Sequence, residues 1–178
     1  MTTSQTPGVV SLIKSENALV PDWEDKIQEW LCEISGLNSD HVIPNYQLNK
    51  PILGKNTTLY YQFGPPQPEG TPIKEVAPDG ESIKVIFTNT ITLTLYIYGI
   101  NARELAQEIC DACAINQSTY TPYQLGLGFI DAKVTASIMD ADANGYIPRT
   151  DIEMLFNYTY ARTYAVKSIT SATVQIKR

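Results

Sequence analysis

The run Asp140-Ala-Asp-Ala-Asn-Gly-Tyr-Ile-Pro-Arg-Thr-Asp151 carries more site-like chemistry than any other stretch of the chain. Asp140, Asp142, Asn144, Gly145 and Asp151 fall on the first, third, fifth, sixth and twelfth positions of a calcium-binding loop, and Ile147 supplies the apolar residue of the eighth. Such a loop needs a helix on each side. Here Tyr123 to Met139 and Asp151 to Tyr160 both alternate at period two. Pro148 at the ninth position and Asp151 in place of a bidentate glutamate weaken the match further. An Asp/Asn/Gly turn between antiparallel strands accounts for the same residues by ordinary turn chemistry, and that reading is adopted. Calcium held by Asp140, Asp142, Asn144 and Asp151 stays as the alternative.

Other reactive residue types form no constellation. His41 is the only imidazole and has no nucleophile-elbow sequence near it, which argues against Ser-His-Asp or Cys-His catalysis. Cys110 and Cys113 have the C-x-x-C spacing, but they lie late in a helical pattern, where no helix N-terminus lowers a thiol pKa. With Cys32 they make an odd set of three, which suits neither a disulfide framework nor a zinc site and fits a reducing cytoplasm. Leu125-Gly-Leu-Gly-Phe129 lacks the third glycine, the Lys-Ser/Thr and the helix of a phosphate loop. The expectation is a protein that is no enzyme and takes no cofactor.

Composition narrows the class. The 178 residues are 43% hydrophobic and only 18% charged, the profile of a folded domain with a sparsely charged surface. A net charge of −6 without any basic cluster argues against a protein that grips DNA phosphates. No signal peptide is expected, and no apolar run approaches the ~20 residues that span a membrane.

The elements that must position these residues read as follows. Residues 1–20 form an N-terminal arm, and residues 21–178 a single domain. Trp23, Ile27, Trp30, Leu31 and Ile34 draw one stripe on a helix opened by Pro21-Asp22 and closed by Gly36. Val42 to Phe63 is extended, with a strand over Thr57 to Phe63. Gly64 to Glu81, rich in proline and glycine, is read as a long hairpin loop projecting from the body. Ser82 to Tyr98 is the clearest strand: Val85, Phe87, Ile91, Leu93, Leu95 and Ile97 share one face, with a bend or a projecting part around Asn89. Asn101 caps a second helix whose apolar face holds Ala102, Leu105, Ala106, Ile109, Cys110 and Cys113. A strand over Tyr123 to Met139 carries a bulge or close neighbour at Gly126 and Gly128. A strand over Asp151 to Tyr160 and an extended tail with Val166, Ile169, Val174 and Ile176 complete the chain. The fold class is α+β: a mainly antiparallel sheet with two amphipathic helices packed on it and one long projecting loop.

Gly145-Tyr-Ile-Pro-Arg149, then Asp151, Ile152 and Phe156-Asn-Tyr158-Thr-Tyr160, resemble the carboxy-terminal signature of tailed-bacteriophage neck or tail terminator (tail completion, head-tail joining) proteins. The helix, strand, helix order before them follows the same pattern more loosely. The resemblance implies a structural virion protein of the neck, assembled in the host cytoplasm into a homo-oligomeric ring, commonly a hexamer. Such a ring caps the tail tube and joins it to the head connector, with the genome DNA passing through its lumen. An acidic chain suits a channel through which DNA slides. Long strands suit pairing between subunits. On this reading Arg149, Asp151 and the loop prolines Pro65, Pro66, Pro68 and Pro72 are candidates for subunit contacts, with Arg149 reaching a carboxylate of a neighbour. The rival readings are a calcium-stabilised or ligand-binding β module, and another tail part such as a tube or baseplate subunit.

Overall fold

The computed structural model describes residues 11–16, 23–46, 56–78, 80–142 and 145–165. In chain order the elements are β1 (Ser11–Glu16), α1 (Trp23–Ser35), a 3-10 turn (Ser39–His41), β2 (Val42–Pro44), β3 (Thr58–Phe63), β4 (Gln67–Pro68), β5 (Ile73–Val76), β6 (Ser82–Tyr98), α2 (Ala102–Cys113), α3 (Tyr120–Gln124), β7 (Gly128–Asp142) and β8 (Gly145–Ala165). The strands make one sheet with the path β1-β8-β6-β3-β2; β4 and β5 lie on β6, and β7 on β8. Every pair is antiparallel except β2 with β3. The fold is α+β, as the alternation of the sequence requires.

The spine is the β6–β8 ladder, unbroken from Ser82↔Ala165 to Tyr98↔Arg149. One register row puts Ile91, Leu93, Leu95 and Ile97 of β6 beside Phe156, Met154, Ile152 and Thr150 of β8, all buried. Ile27, Trp30 and Leu31 of α1 and Ala102, Ala106, Ile109 and Cys113 of α2 belong to the same core. α1 ends where Gly36 takes φ 67° and its N–H bonds the Cys32 carbonyl at 2.9 Å, a conformation open mainly to glycine. The Trp30 indole N–H donates to the Ser118 carbonyl at 2.5 Å and so ties α1 to the turn before α3.

Several expectations change. Gly64 to Glu81 does not project as a free loop. It runs along the edge of β6, with Gln67 opposite Thr90 and Ile73 opposite Ile86. The prolines break its regularity without preventing this, because residues between them supply the donors: Gly64 N–H bonds the Thr92 carbonyl and Glu69 N–H the Thr88 carbonyl. Ser11–Glu16, within the segment read as an arm, is a strand on the far end of β8. Tyr123 to Met139 is not one strand. Pro122, Leu125 and Leu127 are buried, the short helix α3 absorbs Tyr120–Gln124, and β7 begins only at Gly128. There a β-carbon would meet the end of the Asn157 side chain, which would have to move aside. The bulges of β7 fall between Phe129 and Asp131 and between Val134 and Ala136. Asn101 makes no side-chain cap; its backbone carbonyl accepts from Leu105 N–H instead. β8 runs unbroken for 21 residues, merging the strand and the start of the tail. Val166, Ile169, Val174 and Ile176 lie outside the described residues, as do Pro21, Asp22 and Asn144.

Candidate functional site

β7 and β8 form a long hairpin paired from Gly128↔Asn157 out to Asp142↔Gly145. The hairpin reaches past the end of β6, which stops at Tyr98 opposite Arg149. Period two puts Arg149 and Asp151 side by side on the face away from the helices, next to Tyr98 and Tyr96 of β6. The guanidinium is held from within the chain. Nε donates to Asp151 at 2.8 Å, Nη2 to the other Asp151 oxygen at 2.9 Å, and Nη1 to Asp140 across the hairpin at 2.7 Å. The Tyr98 hydroxyl bonds the same Asp140 carboxylate at 3.0 Å, and the cation lies 5.4 Å from the Tyr96 ring centre. Arg149 is thus a clamp that fixes the hairpin base to β6. Within one chain, three of its N–H donors go to Asp140 and Asp151.

The electrostatics follow from this geometry. Hydrogen bonds from Arg149, and next from Tyr98, hold the Asp140 carboxyl below its ordinary value. The hydrogen bond to Asp151 foremost holds Arg149 more firmly protonated than a free guanidinium. Burial first, and then the Asp140 bond, pushes the Tyr98 hydroxyl up, against the opposing pull of Arg149. A carboxyl whose folded pKa is depressed contributes stability above its unfolded pKa and loses it as pH falls through the folded one. Stability of the protein is therefore expected to fall as pH drops below the ordinary carboxylate value near 3.8. Denaturation midpoints measured down that acid limb should decline less steeply for Asp140→Asn.

The calcium alternative meets the same clamp. Strands flank the loop on both sides, and two of its candidate ligands, Asp140 and Asp151, already hold Arg149. Among the described residues no group of three or more acidic, histidine or cysteine side chains is placed to hold a metal. The side chains of Asp142 and Asn144 lie outside the described ones. Millimolar calcium is expected to leave the thermal midpoint unchanged, which differential scanning fluorimetry would check. Burial pushes the Cys113 thiol up to about 12 and raises Cys110 as well, the reverse of an activated redox pair.

A second feature lies at the other end of the spine. Beyond Ile91 and Phe156 the helix-side row continues as Asn89, Phe87 and Val85 beside Tyr158, Tyr160 and Arg162. Phe87 stacks on Tyr160 at 5.0 Å, Tyr160 on Tyr158 at 6.1 Å, and Arg162 lies over the Tyr160 ring at 5.1 Å. No described helix packs over β1 or β5, the strands flanking this end, and its rings stay half exposed.

The family model of phage neck terminator proteins matches residues 22–178, nearly the whole chain. The chain belongs to that family. No curated protein matches it. A neck terminator is a structural part of the virion neck and works among other phage head and tail proteins. The residues that carry the sequence resemblance divide between two jobs in this neck terminator: Arg149 and Asp151 make the clamp, whereas Tyr158 and Tyr160 lie on the open sheet end. Sequence reasoning missed Asp140 as the third member of the clamp because it read that residue with its neighbours in the loop. The available signal was the hairpin itself, which folds Asp140 back within reach of Arg149. The candidate prolines Pro65, Pro66, Pro68 and Pro72 are exposed along the β6 edge and are not brought together with Arg149.

Proposed function

We infer that this neck terminator assembles with copies of itself into a ring, commonly six-fold, that caps the tail tube and joins it to the head connector, leaving a lumen for the genome. The supporting observation is a sheet that outgrows its helical cover. β6 and β8 run on as a single layer past the core, and β7 presents an outer edge that no described strand pairs. A one-layer sheet end with half-exposed rings is stable chiefly when another surface covers it. On β7, Ile130, Val134 and Ile138 are exposed, and its two bulges are the irregularity by which an edge strand limits uncontrolled pairing. The acidic balance suits a lumen that lets DNA slide.

The test is direct imaging by negative stain of the protein alone and with tail tubes, beside light scattering over a wide concentration range. Rings at tube ends are expected. Monomer mass at every concentration, with tube ends left bare, would overturn the reading.

A further inference from the structure

The open sheet end and the helical layer differ in charge as well as in cover. The helix-side face of the open end carries Arg162 on its ring stack and Lys74 on the adjoining β5. Exposed α1 side chains include Glu24, Asp25, Glu29 and Glu33 against Lys26 alone, and Lys26 is already 3.6 Å from Glu29. At the C-terminal end of α1, a groove of about 600 Å³ opens between that helix and the α2–α3 turn, lined by Glu33, Ile34, Ile115 and Tyr120. Ile115 and Tyr120 are more than half exposed there. The strip is thus aromatic with a cation, and the groove, which lies beside Trp30 and Ser118 near Phe156, is apolar with a carboxylate.

The strip borders a buried polar group without a partner. Asn89 is 5% exposed and lies at the margin of the aromatic strip, opposite Tyr158, and its amide nitrogen has no hydrogen-bond partner. A buried amide left without an acceptor is unfavourable, and native structures contain few of them.

We propose that the strip formed by Phe87, Tyr158, Tyr160 and Arg162 of one copy docks into the groove at Glu33, Ile115 and Tyr120 of the next. This deepens the ring reading and rests on it. The two surfaces are different patches of one chain, so the contact is heterologous, the kind that generates a ring when its rotation closes. Arg162 meets Glu33, and Ile115 and Tyr120 cover the stacked rings.

The experiment uses the full chain and two charge reversals, Arg162→Glu and Glu33→Arg, singly and together, read by sedimentation velocity. Both sites are exposed, and circular dichroism reports whether each variant is folded. Each single reversal is expected to weaken association by roughly tenfold or more, and the pair to recover most of it. Singles that assemble like the parent, or folded singles that both fail with no recovery in the pair, would overturn the contact while leaving the ring reading intact. A parent chain that remains monomeric alone and on tubes would defeat the ring reading, and the contact with it.

Discussion

Replacing Arg149 with methionine is expected to destabilise the protein by about 3 kcal/mol, read as a lowered urea midpoint at unchanged slope. The size follows from what is left behind. Asp151 has a side chain only 12% exposed, and both of its oxygens are held by Arg149. Without the guanidinium that carboxylate is charged, poorly solvated and unpaired, which is the condition that makes breaking a buried pair far worse than never having had one. Asp140, with a side chain 35% exposed, recovers water and adds little. The same reasoning gives the control. Asp151→Asn in the Arg149→Met background removes the stranded charge, so the double variant should regain much of what the single lost. If the double variant falls by the sum of the two singles, the pair is not acting as a coupled unit. Near-UV signals from Tyr96 and Tyr98 should change with Arg149→Met, because the cation lies near both rings.

How much of this was legible in the sequence depends on range. Period-two alternation in β6 gives the strand bounds and the inward row from Ile91 to Ile97, because side-chain direction is a local property of an extended backbone. The α1 stripe is equally local. Proline content misleads over Gly64 to Glu81: it reports that regular pairing is interrupted, not that the segment leaves the sheet, and the few bonds to β6 come from residues between the prolines. For Tyr123 to Leu127, tertiary burial of Pro122, Leu125 and Leu127 overrides a weak strand pattern. The clamp was half legible. Arg149 and Asp151, two apart on a strand, had to share a face, but only the hairpin register brings in Asp140, and only the end of β6 brings in Tyr98. Asn89 was legible as a gap in an apolar row. The gap turns out to mark where the covered core stops and the open strip begins.

Two aromatic residues on one face of β8, four positions apart, are expected to answer in opposite assays. Phe156 is fully buried, 6.1 Å edge-on from Trp30 and 5.7 Å from Phe129. Truncation to alanine removes a ring from a site where a helix, two strands and two other aromatics converge, and core Phe→Ala changes of this kind destabilise by about 4 kcal/mol. A loss that large approaches the whole stability of many domains, so Phe156→Ala should appear in the unfolded fraction before it appears in any assembly assay. Phe156→Leu, which keeps most of the volume, serves as the milder variant. Tyr160 sits in the same row but beyond the helical cover, half exposed and stacked only on Phe87 and Tyr158 among the described rings. Tyr160→Ala gives up that stacking and part of the half-exposed area, for a loss of about 1 kcal/mol in the isolated chain. If the open end is a docking surface, the same change should weaken self-association severalfold or more. Urea midpoints and sedimentation on the two variants would separate these roles: a Tyr160→Ala chain as unstable as Phe156→Ala would mean that the strip belongs to the core, whereas a stable chain that no longer assembles would place the subunit contact there.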